Sequence, residues 1–153
     1  DALNLLTKLK LSAKLPKNLI MTPHPGEASR LLGKSINEIE SNRFEAVSLL
    51  QKKFNCVVVL KGSGSLVCYS KGGKQQIGIC EAGNPGMASG GMGDILTGII
   101  AGFLAQGLSL IEAAELGVDI HAKAADLKSL DTGEAGLLAS DVLEEVRQLL
   151  RYE

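Results

Sequence analysis

The chain has 153 residues, 45% of them hydrophobic, and a formal net charge of −1. This length suits one domain with its own core, and the near-neutral charge argues against a nucleic-acid surface or a polybasic membrane surface. The longest apolar stretch, 95–105, is too short to span a bilayer. The three cysteines form no CxxC pair and the first residues do not resemble a secretion leader, so we expect reduced thiols and a cytoplasmic location.

The first half of the chain predicts helices interrupted by two strands. Apolar residues at helical spacing predict a helix over 2–11, and NLIMT at 18–22 predicts a short buried strand ended by PHPG. GEASRLLG predicts a helix closed by Gly33, and a capping box of Ser35 and Glu38 begins the next helical stretch. That stretch is expected to run with interruptions to about Phe54, with an apolar face of Phe44, Val47, Leu50 and Phe54.

The second half predicts a hairpin, a glycine-rich loop and three helices. CVVVLKG at 56–62 is typical of a central parallel strand, and SLVCYS and KQQIGIC flank a KGG turn. After the loop at 83–94, helices are predicted over 95–106, 110–130 and 141–150. Ser140 is the expected N-cap of the last helix. The order predicts a layered α/β domain over 1–153, with too few strands for a full doubly wound sheet; an N-terminal half is therefore expected to be missing.

The loop at 83–94, GNPGMASGGMGD, precedes the most apolar helix. Its glycines let backbone N–H groups approach a ligand, and the helix N-terminus adds further donors and the positive end of its dipole. Together these features predict an anion hole for a phosphate or a developing oxyanion. Asp94 closes the loop, where it could cap the helix or act as a general base.

The segment LKGSGS at 60–65 ends the predicted buried strand. Lys61 is either a solvated strand end or a nucleotide contact, with Gly62 and Gly64 allowing close approach of the backbone. GGKQ lacks the hydroxyl of a Walker motif, and no GxGxxG follows a strand. Phosphate chemistry here would therefore use an anion hole without a Walker lysine.

The segment TPHPGE at 22–27 places His24 between two prolines after a strand. This rigid setting leaves a surface role and a ligand-binding role open for the imidazole. Glu27 could cap the next helix or organise water and metal near a phosphate. His121, among alanines in a predicted helix, is expected to be a packing residue.

Three segments in this order, TPHPGEASRLLG, VVVLKGSGSLV and GNPGMASGGMGDILTGIIAGFLAQG, resemble the NAD(P)H-hydrate dehydratase family. DALNLL and AAELGVDIHAKAAD are also similar to that family, so the resemblance covers nearly the whole chain. It implies a ribokinase-like layered α/β/α sheet. It also implies that 1–153 is the C-terminal part of a single domain roughly twice as long.

The resemblance implies an enzyme that restores hydrated NADH and NADPH (NAD(P)HX) at the expense of ADP or ATP, with ADP expected for a bacterial protein. The ring hydroxyl would be phosphorylated and phosphate would then leave, with Asp94 as the base. His24 and Asp94 would contact the substrate, and Glu27 and Asn84 would support the site. The implied nucleotide-binding residues are Lys61, Gly62, Ser63, Gly64, Ser65, Gly91 and Gly93.

Mg²⁺ is expected with the nucleotide, without an implied protein ligand. A homo-oligomer is expected, without nucleic-acid or membrane partners. One alternative is a ribokinase-like kinase of a small molecule such as a vitamin precursor, which would share Asp94 and the anion hole. TPHPGE argues against this kinase, whose relatives carry an Asn-containing version of the segment. The other alternative is a non-catalytic fragment, supported by the missing N-terminal strands.

Overall fold

A computed structural model describes residues 2–8, 15–16 and 18–151. The chain divides into two compact units, Asp1–Ile79 and Cys80–Glu153. That residues 1–153 belong to a single domain stays a prediction. None of the helices in the described part of the chain combines the length and apolar character needed to cross a bilayer.

The first unit is an α/β layer whose elements follow the predicted order. They are α1 (Ala2–Lys8), β1 (Ile20–Met21), α2 (Pro25–Leu32), α3 (Ile36–Ser41), α4 (Arg43–Phe54), β2 (Val57–Leu60), β3 (Ser65–Lys71) and β4 (Lys74–Cys80). The sheet order is β1-β2-β3-β4, with β1 parallel and β3 antiparallel to β2. All four residues of β2 are buried, as expected for a central strand. Residues 9–11, the rest of the first predicted helix, lie outside the described residues.

Local sequence rules account for the ends of these elements. Gly33 closes α2 in the left-handed conformation, and Ser35 and Glu38 form the predicted capping box of α3. β1 is shorter than predicted because its pairing with β2 is confined to Ile20 and Met21. The KGG turn is confirmed, with positive φ at both Gly72 and Gly73, as a tight hairpin requires.

The helical stretch that was predicted to run with interruptions to about Phe54 consists of two helices, α3 and α4. The chain breaks at Asn42, whose Oδ1 accepts the Glu45 N–H at 3.1 Å and begins α4. Val47 and Leu50 lie in the core as predicted, whereas Phe44 is 53% exposed. The prediction was wrong for Phe44 because the restart places it in the first turn of α4, off the buried stripe.

Two of the three cysteines are buried in the first unit. Burial raises the pKa of the Cys56 thiol to about 12 and that of Cys68 to about 11. Cys80 is half-buried, and all three thiols are free. The raised pKa values keep the two buried thiols protonated at neutral pH, so the expectation of structural thiols is confirmed for Cys56 and Cys68.

The second unit is helical. It contains a 3₁₀ turn (Pro85–Met87), α5 (Met92–Ala105), α6 (Leu110–Thr132) and α7 (Ala139–Leu149). α5 begins three residues earlier than predicted, so Asp94 lies inside its first turn. Ser140 is not the N-cap of α7, because the helix begins at Ala139. The Leu138 N–H instead donates to Asp141 Oδ2 at 2.9 Å.

The contact between α5 and α6 requires a glycine. A Cβ built on Gly117 of α6 would lie 2.6 Å from Ile100 Cγ1 of α5. We expect Gly117→Ala to lower the free energy of unfolding by about 1–3 kcal/mol through overpacking. Gly98→Ala on α5, where nothing lies within 4 Å, should raise it by about 0.5–1 kcal/mol through helix propensity. Chemical denaturation measures both variants, and a stabilising Gly117→Ala would contradict this account of the contact.

Candidate functional site

The 83–94 loop of the second unit is anchored by an acid on α6. Asn84 Oδ1 accepts the Gly86 N–H at 3.0 Å and begins the 3₁₀ turn. Asn84 Nδ2 donates to Asp126 Oδ1 at 2.9 Å, and the Gly83 N–H donates to Asp126 Oδ2 at 2.8 Å. Both carboxylate oxygens of Asp126 therefore hold the start of the loop.

Sequence reasoning missed Asp126. The residue ends the AAELGVDIHAKAAD segment, where an acid on a helix is most simply interpreted as a solvated side chain. No local pattern relates it to a loop 42 residues earlier; only the fold brings Asp126 and Asn84 together. The side chain of Asn84, which is expected to support the site, accepts from Gly86 within the loop and donates to Asp126 of α6.

Two glycines of this loop are required by geometry. A Cβ on Gly86 would lie 2.4 Å from the Glu134 carbonyl oxygen, so a side chain would displace the backbone. Gly91 is the N-cap of α5 with φ 89°, a left-handed conformation that L side chains rarely adopt. The loop therefore enters α5 through a turn that glycine permits.

Asp94 lies at the third position of α5. Its N–H donates to the Gly91 carbonyl at 3.0 Å, while its side chain is exposed. Among the described residues of this unit, the carboxylate accepts no hydrogen bond and forms no ion pair. The side chain of Asp94 therefore does not cap α5, because Gly91 is the N-cap and the helix has no side-chain cap hydrogen bond. The carboxylate remains available to a ligand.

The N-terminus of α5 also presents free donors. The N–H groups of Gly91, Met92 and Gly93 precede the first hydrogen bonds of α5, which the Asp94 and Ile95 N–H groups donate to the Gly91 carbonyl. Within the described part of the second unit they have no other acceptor. Three amide donors and the positive end of a 14-residue helix therefore lie at the position predicted for the anion hole, which stays a prediction.

His121 of α6 packs beneath this helix start. The residue is 5% exposed, which confirms the prediction of a packing role. Burial lowers the pKa of the imidazole to about 4, and a hydrogen bond with the backbone of Met92 opposes part of that shift. The imidazole is therefore neutral at physiological pH and supports the first turn of α5.

His24 of the first unit begins α2. Its Nδ1 accepts the Gly26 N–H at 3.1 Å, and its own N–H donates to Glu27 Oε2 at 2.9 Å. Because Nδ1 accepts this hydrogen bond, the ring nitrogen that can donate is Nε2, which lies 3.6 Å from Glu27 Oε2. Glu27 is buried and takes the capping role that the sequence left open. The His24 side chain is half exposed, so its Nε2–H can reach a ligand.

Two of the predicted site segments meet in the first unit. The Lys61 N–H donates to the Pro23 carbonyl at 2.9 Å and joins the 61–65 loop to the 22–27 turn. These segments follow β2 and β1, which are parallel neighbours, so both lie at the carboxyl edge of the sheet. Ligands of open α/β sheets bind at such edges.

The anchoring role of Asp126 is testable. We expect Asp126→Ala to weaken protection of the Gly83 amide and to lower the stability of the loop by about 2 kcal/mol, because two hydrogen bonds to a charged acceptor are lost. Asp119→Ala is the matched control, since its ion pair with Lys123 on the same helix is exposed. Amide exchange measures both variants, and equal loop protection in the two would contradict the anchor.

Comparison with known proteins decides the family. The family model described as NAD(P)H-hydrate dehydratase matches residues 1–148. The chain belongs to the NAD(P)H-hydrate dehydratase family. It is 53% identical over 150 residues to a bifunctional NAD(P)H-hydrate repair enzyme of Coxiella burnetii, an alignment that covers 98% of this chain and 30% of that protein.

Two further comparisons match a larger share of the relative's length. An ADP-dependent (S)-NAD(P)H-hydrate dehydratase of Neisseria meningitidis is 42% identical over 97% of this chain and 51% of that protein. The structure of an ADP/ATP-dependent dehydratase from Bacillus subtilis, co-crystallized with ATP/Mg²⁺, is 29% identical with a TM-score of 0.83; the match covers 92% of this chain and 50% of that one. The chain thus spans about half or less of these relatives. The likeness confirms the predicted ribokinase-like α/β fold.

Proposed function

We propose that this chain carries the catalytic base and nucleotide-binding segments of an enzyme that dehydrates NAD(P)HX to NAD(P)H at the expense of a nucleotide. The observation that carries the proposal is the exposed, unengaged carboxylate of Asp94, one turn into α5 and beside amide donors without acceptors. Family membership supplies the substrate class. A base next to an anion hole suits transfer of a phosphoryl group to a hydroxyl.

In the proposed reaction Asp94 takes the proton from the ring hydroxyl as its oxygen attacks the terminal phosphoryl group. The N–H groups of Gly91 and Gly93 hold the phosphoryl oxygens, and the dipole of α5 stabilises their negative charge. The phosphate then leaves the ring with the electron pair of the C–O bond, and loss of a proton from the adjacent ring carbon restores the double bond of the reduced nicotinamide. Burial of the apolar face of α5 fixes the donors before the substrate arrives.

His24 is proposed to bind the hydrated substrate. Its Nδ1 is committed to the helix cap, so only Nε2–H is available to donate. The Gly26 N–H holds the ring at Nδ1, while Glu27 Oε2 accepts the backbone N–H of His24 and lies 3.6 Å from its Nε2. Glu27 therefore supports the site by orienting His24, in place of the metal-organising role that the sequence left open.

The 61–65 loop is proposed to contact the adenosine nucleotide through Lys61, Gly62, Ser63, Gly64 and Ser65. Its position at the carboxyl edge of β2, fixed by the bond to Pro23, supports this assignment. We propose ADP as the preferred nucleotide, because the Neisseria meningitidis relative is ADP-dependent. The Bacillus subtilis relative is ADP/ATP-dependent, so ATP is the expected second choice.

Mg²⁺ is proposed to arrive on the nucleotide. When bound, it would neutralise phosphate charge. Glu27 Oε2 and both oxygens of Asp126 already accept hydrogen bonds, which leaves Asp94 as the unengaged carboxylate at the 83–94 loop. This donor chemistry fits an ion carried mainly by phosphate oxygens and water. A homo-oligomeric state and a cytoplasmic location belong to the same proposal.

The test is recovery of NADH absorbance from hydrated NADH with Mg²⁺ and either ADP or ATP. The Neisseria meningitidis relative serves as the positive control for the reagents. Recovery by this chain supports the proposal. Nucleotide consumption with a vitamin precursor but no recovery of NADH would indicate the kinase alternative. A silent chain beside an active control would indicate the non-catalytic fragment.

A further inference from the structure

Arg43, the first residue of α4, reaches the loop that follows β2. Its Nη1 donates to the Ser63 carbonyl, and its Nη2 donates to the Leu60 carbonyl at 3.3 Å. A planar guanidinium presents several donors in a fixed fork, so one side chain can bridge two acceptors. Arg43 thus connects the end of β2 with the middle of the 61–65 loop.

Gly62 provides the space for this bridge. A Cβ on Gly62 would lie 2.8 Å from Arg43 Nη2 and 3.1 Å from Cζ, so the guanidinium occupies the place that a side chain would take. Gly62 also has a positive φ of 151°. A side chain at position 62 would therefore displace the guanidinium of Arg43 from its bridge.

The arrangement is unfavourable for local stability. Arg43 carries its positive charge at the first position of a helix, where the dipole disfavours cations. Its Nε is buried without an acceptor, and no carboxylate of the described first unit pairs with the guanidinium. The acceptors of its hydrogen bonds are the neutral carbonyls of Leu60 and Ser63. Departures from local rules of this kind are expected at functional sites.

We propose that Arg43 is a positioning residue for the nucleotide. It bridges Leu60 and Ser63, holds the 61–65 loop in its nucleotide-accepting conformation, and keeps a positive charge beside the position proposed for an anionic ligand. This inference rests on the proposed function, since it assumes that the loop binds an adenine nucleotide. It deepens that function by assigning a role to a residue outside the motifs of the sequence.

The test compares ADP binding by the unchanged chain, Arg43→Met, Arg43→Lys and Lys52→Met, measured by calorimetry with Mg²⁺. Lys52, exposed on the same helix, controls for the loss of one positive charge. We expect Arg43→Met and Arg43→Lys each to weaken ADP binding about tenfold, because a lysine ammonium lacks the planar fork of the bridge. Lys52→Met should stay within about twofold. Arg43→Lys keeps the charge, so it carries the test if Arg43→Met does not fold.

A second measurement follows the loop without any ligand. Residue-resolved amide exchange should show faster exchange at Gly62, Ser63 and Gly64 in both Arg43 variants. The Lys61 amide, which donates to Pro23, should keep its protection and serves as the internal control. A residue that merely stabilised the fold would change protection throughout the first unit.

Each outcome of the two measurements supports or overturns a stated part of the proposal. ADP binding by Arg43→Lys at the unchanged affinity would overturn the bridge and leave a role for charge alone. Weakened binding with unchanged loop exchange would overturn positioning in favour of direct contact. Failure of the unchanged chain to bind ADP would overturn the proposed nucleotide site and this inference with it, whereas binding that is equal in all variants would overturn this inference only.

Discussion

Asp94→Asn is expected to lower turnover of hydrated NADH by a factor of roughly 10²–10⁴, the usual contribution of a general base. The amide is nearly isosteric and stays at the third position of α5, but it cannot take the proton of the ring hydroxyl. ADP affinity should stay within about threefold, because the backbone donors of the anion hole are unchanged. The absorbance assay and calorimetry measure the two quantities separately.

The control for Asp94→Asn is Asp119→Asn. Asp119 is an exposed acid of the same unit whose carboxylate pairs with Lys123 and is distant in sequence from the loop. The Asp119→Asn substitution removes one negative charge and leaves the residues of α5 unchanged. A turnover loss shared by both variants would show a general effect of charge, and full turnover by Asp94→Asn would show that Asp94 is not the base.

Acid destabilisation through His121 is the second large effect. The pKa of about 4 in the folded chain lies below the ordinary histidine value of 6.5. Above pH 6.5 the imidazole is neutral in both states and contributes no pH dependence. As the pH falls from 6.5 to 4, the unfolded chain binds a proton that the folded chain does not, so stability falls by about 3 kcal/mol over this window. Below pH 4 both states are protonated and this contribution is constant.

The variant His121→Leu isolates that contribution, because leucine is buried as easily and does not titrate. Carboxylates affect both proteins alike, so the difference between their stability profiles reports the imidazole. Urea denaturation from pH 7.5 to 4 should show a shallower profile for His121→Leu. Parallel profiles would show that burial does not depress the pKa of His121.

The sequence predicts the elements better than their long-range connections. The capping box of Ser35 and Glu38, the hairpin glycines and the buried β2 strand are set by neighbours within a few residues, so local rules found them. An interrupted helical stretch was predicted up to Phe54, but periodicity alone does not show that the restart is at Asn42. Ser140 was wrongly predicted as the N-cap of α7. The acid that accepts the Leu138 N–H at the start of this helix, Asp141, is the next residue along the chain.

The candidate site divides in the same way. His24, the 61–65 loop and Asp94 were found because motifs of adjacent residues carry their chemistry. Asp126 and Arg43 were not, since each acts on backbone or side-chain groups 17 to 43 residues away. Their side chains are ordinary for a helix surface. Only the folded chain shows what they contact.

The hydrogen bond between the Lys61 N–H and the Pro23 carbonyl is made entirely by main-chain atoms. Any substitution at position 23, and any at position 61 except proline, leaves the donor and acceptor in place. A descendant sequence that keeps β1 and β2 paired can therefore keep the spacing between the 22–27 turn and the 61–65 loop. The residues at 24 and 63, which are proposed to contact ligands, can then change while the backbone that presents them stays the same.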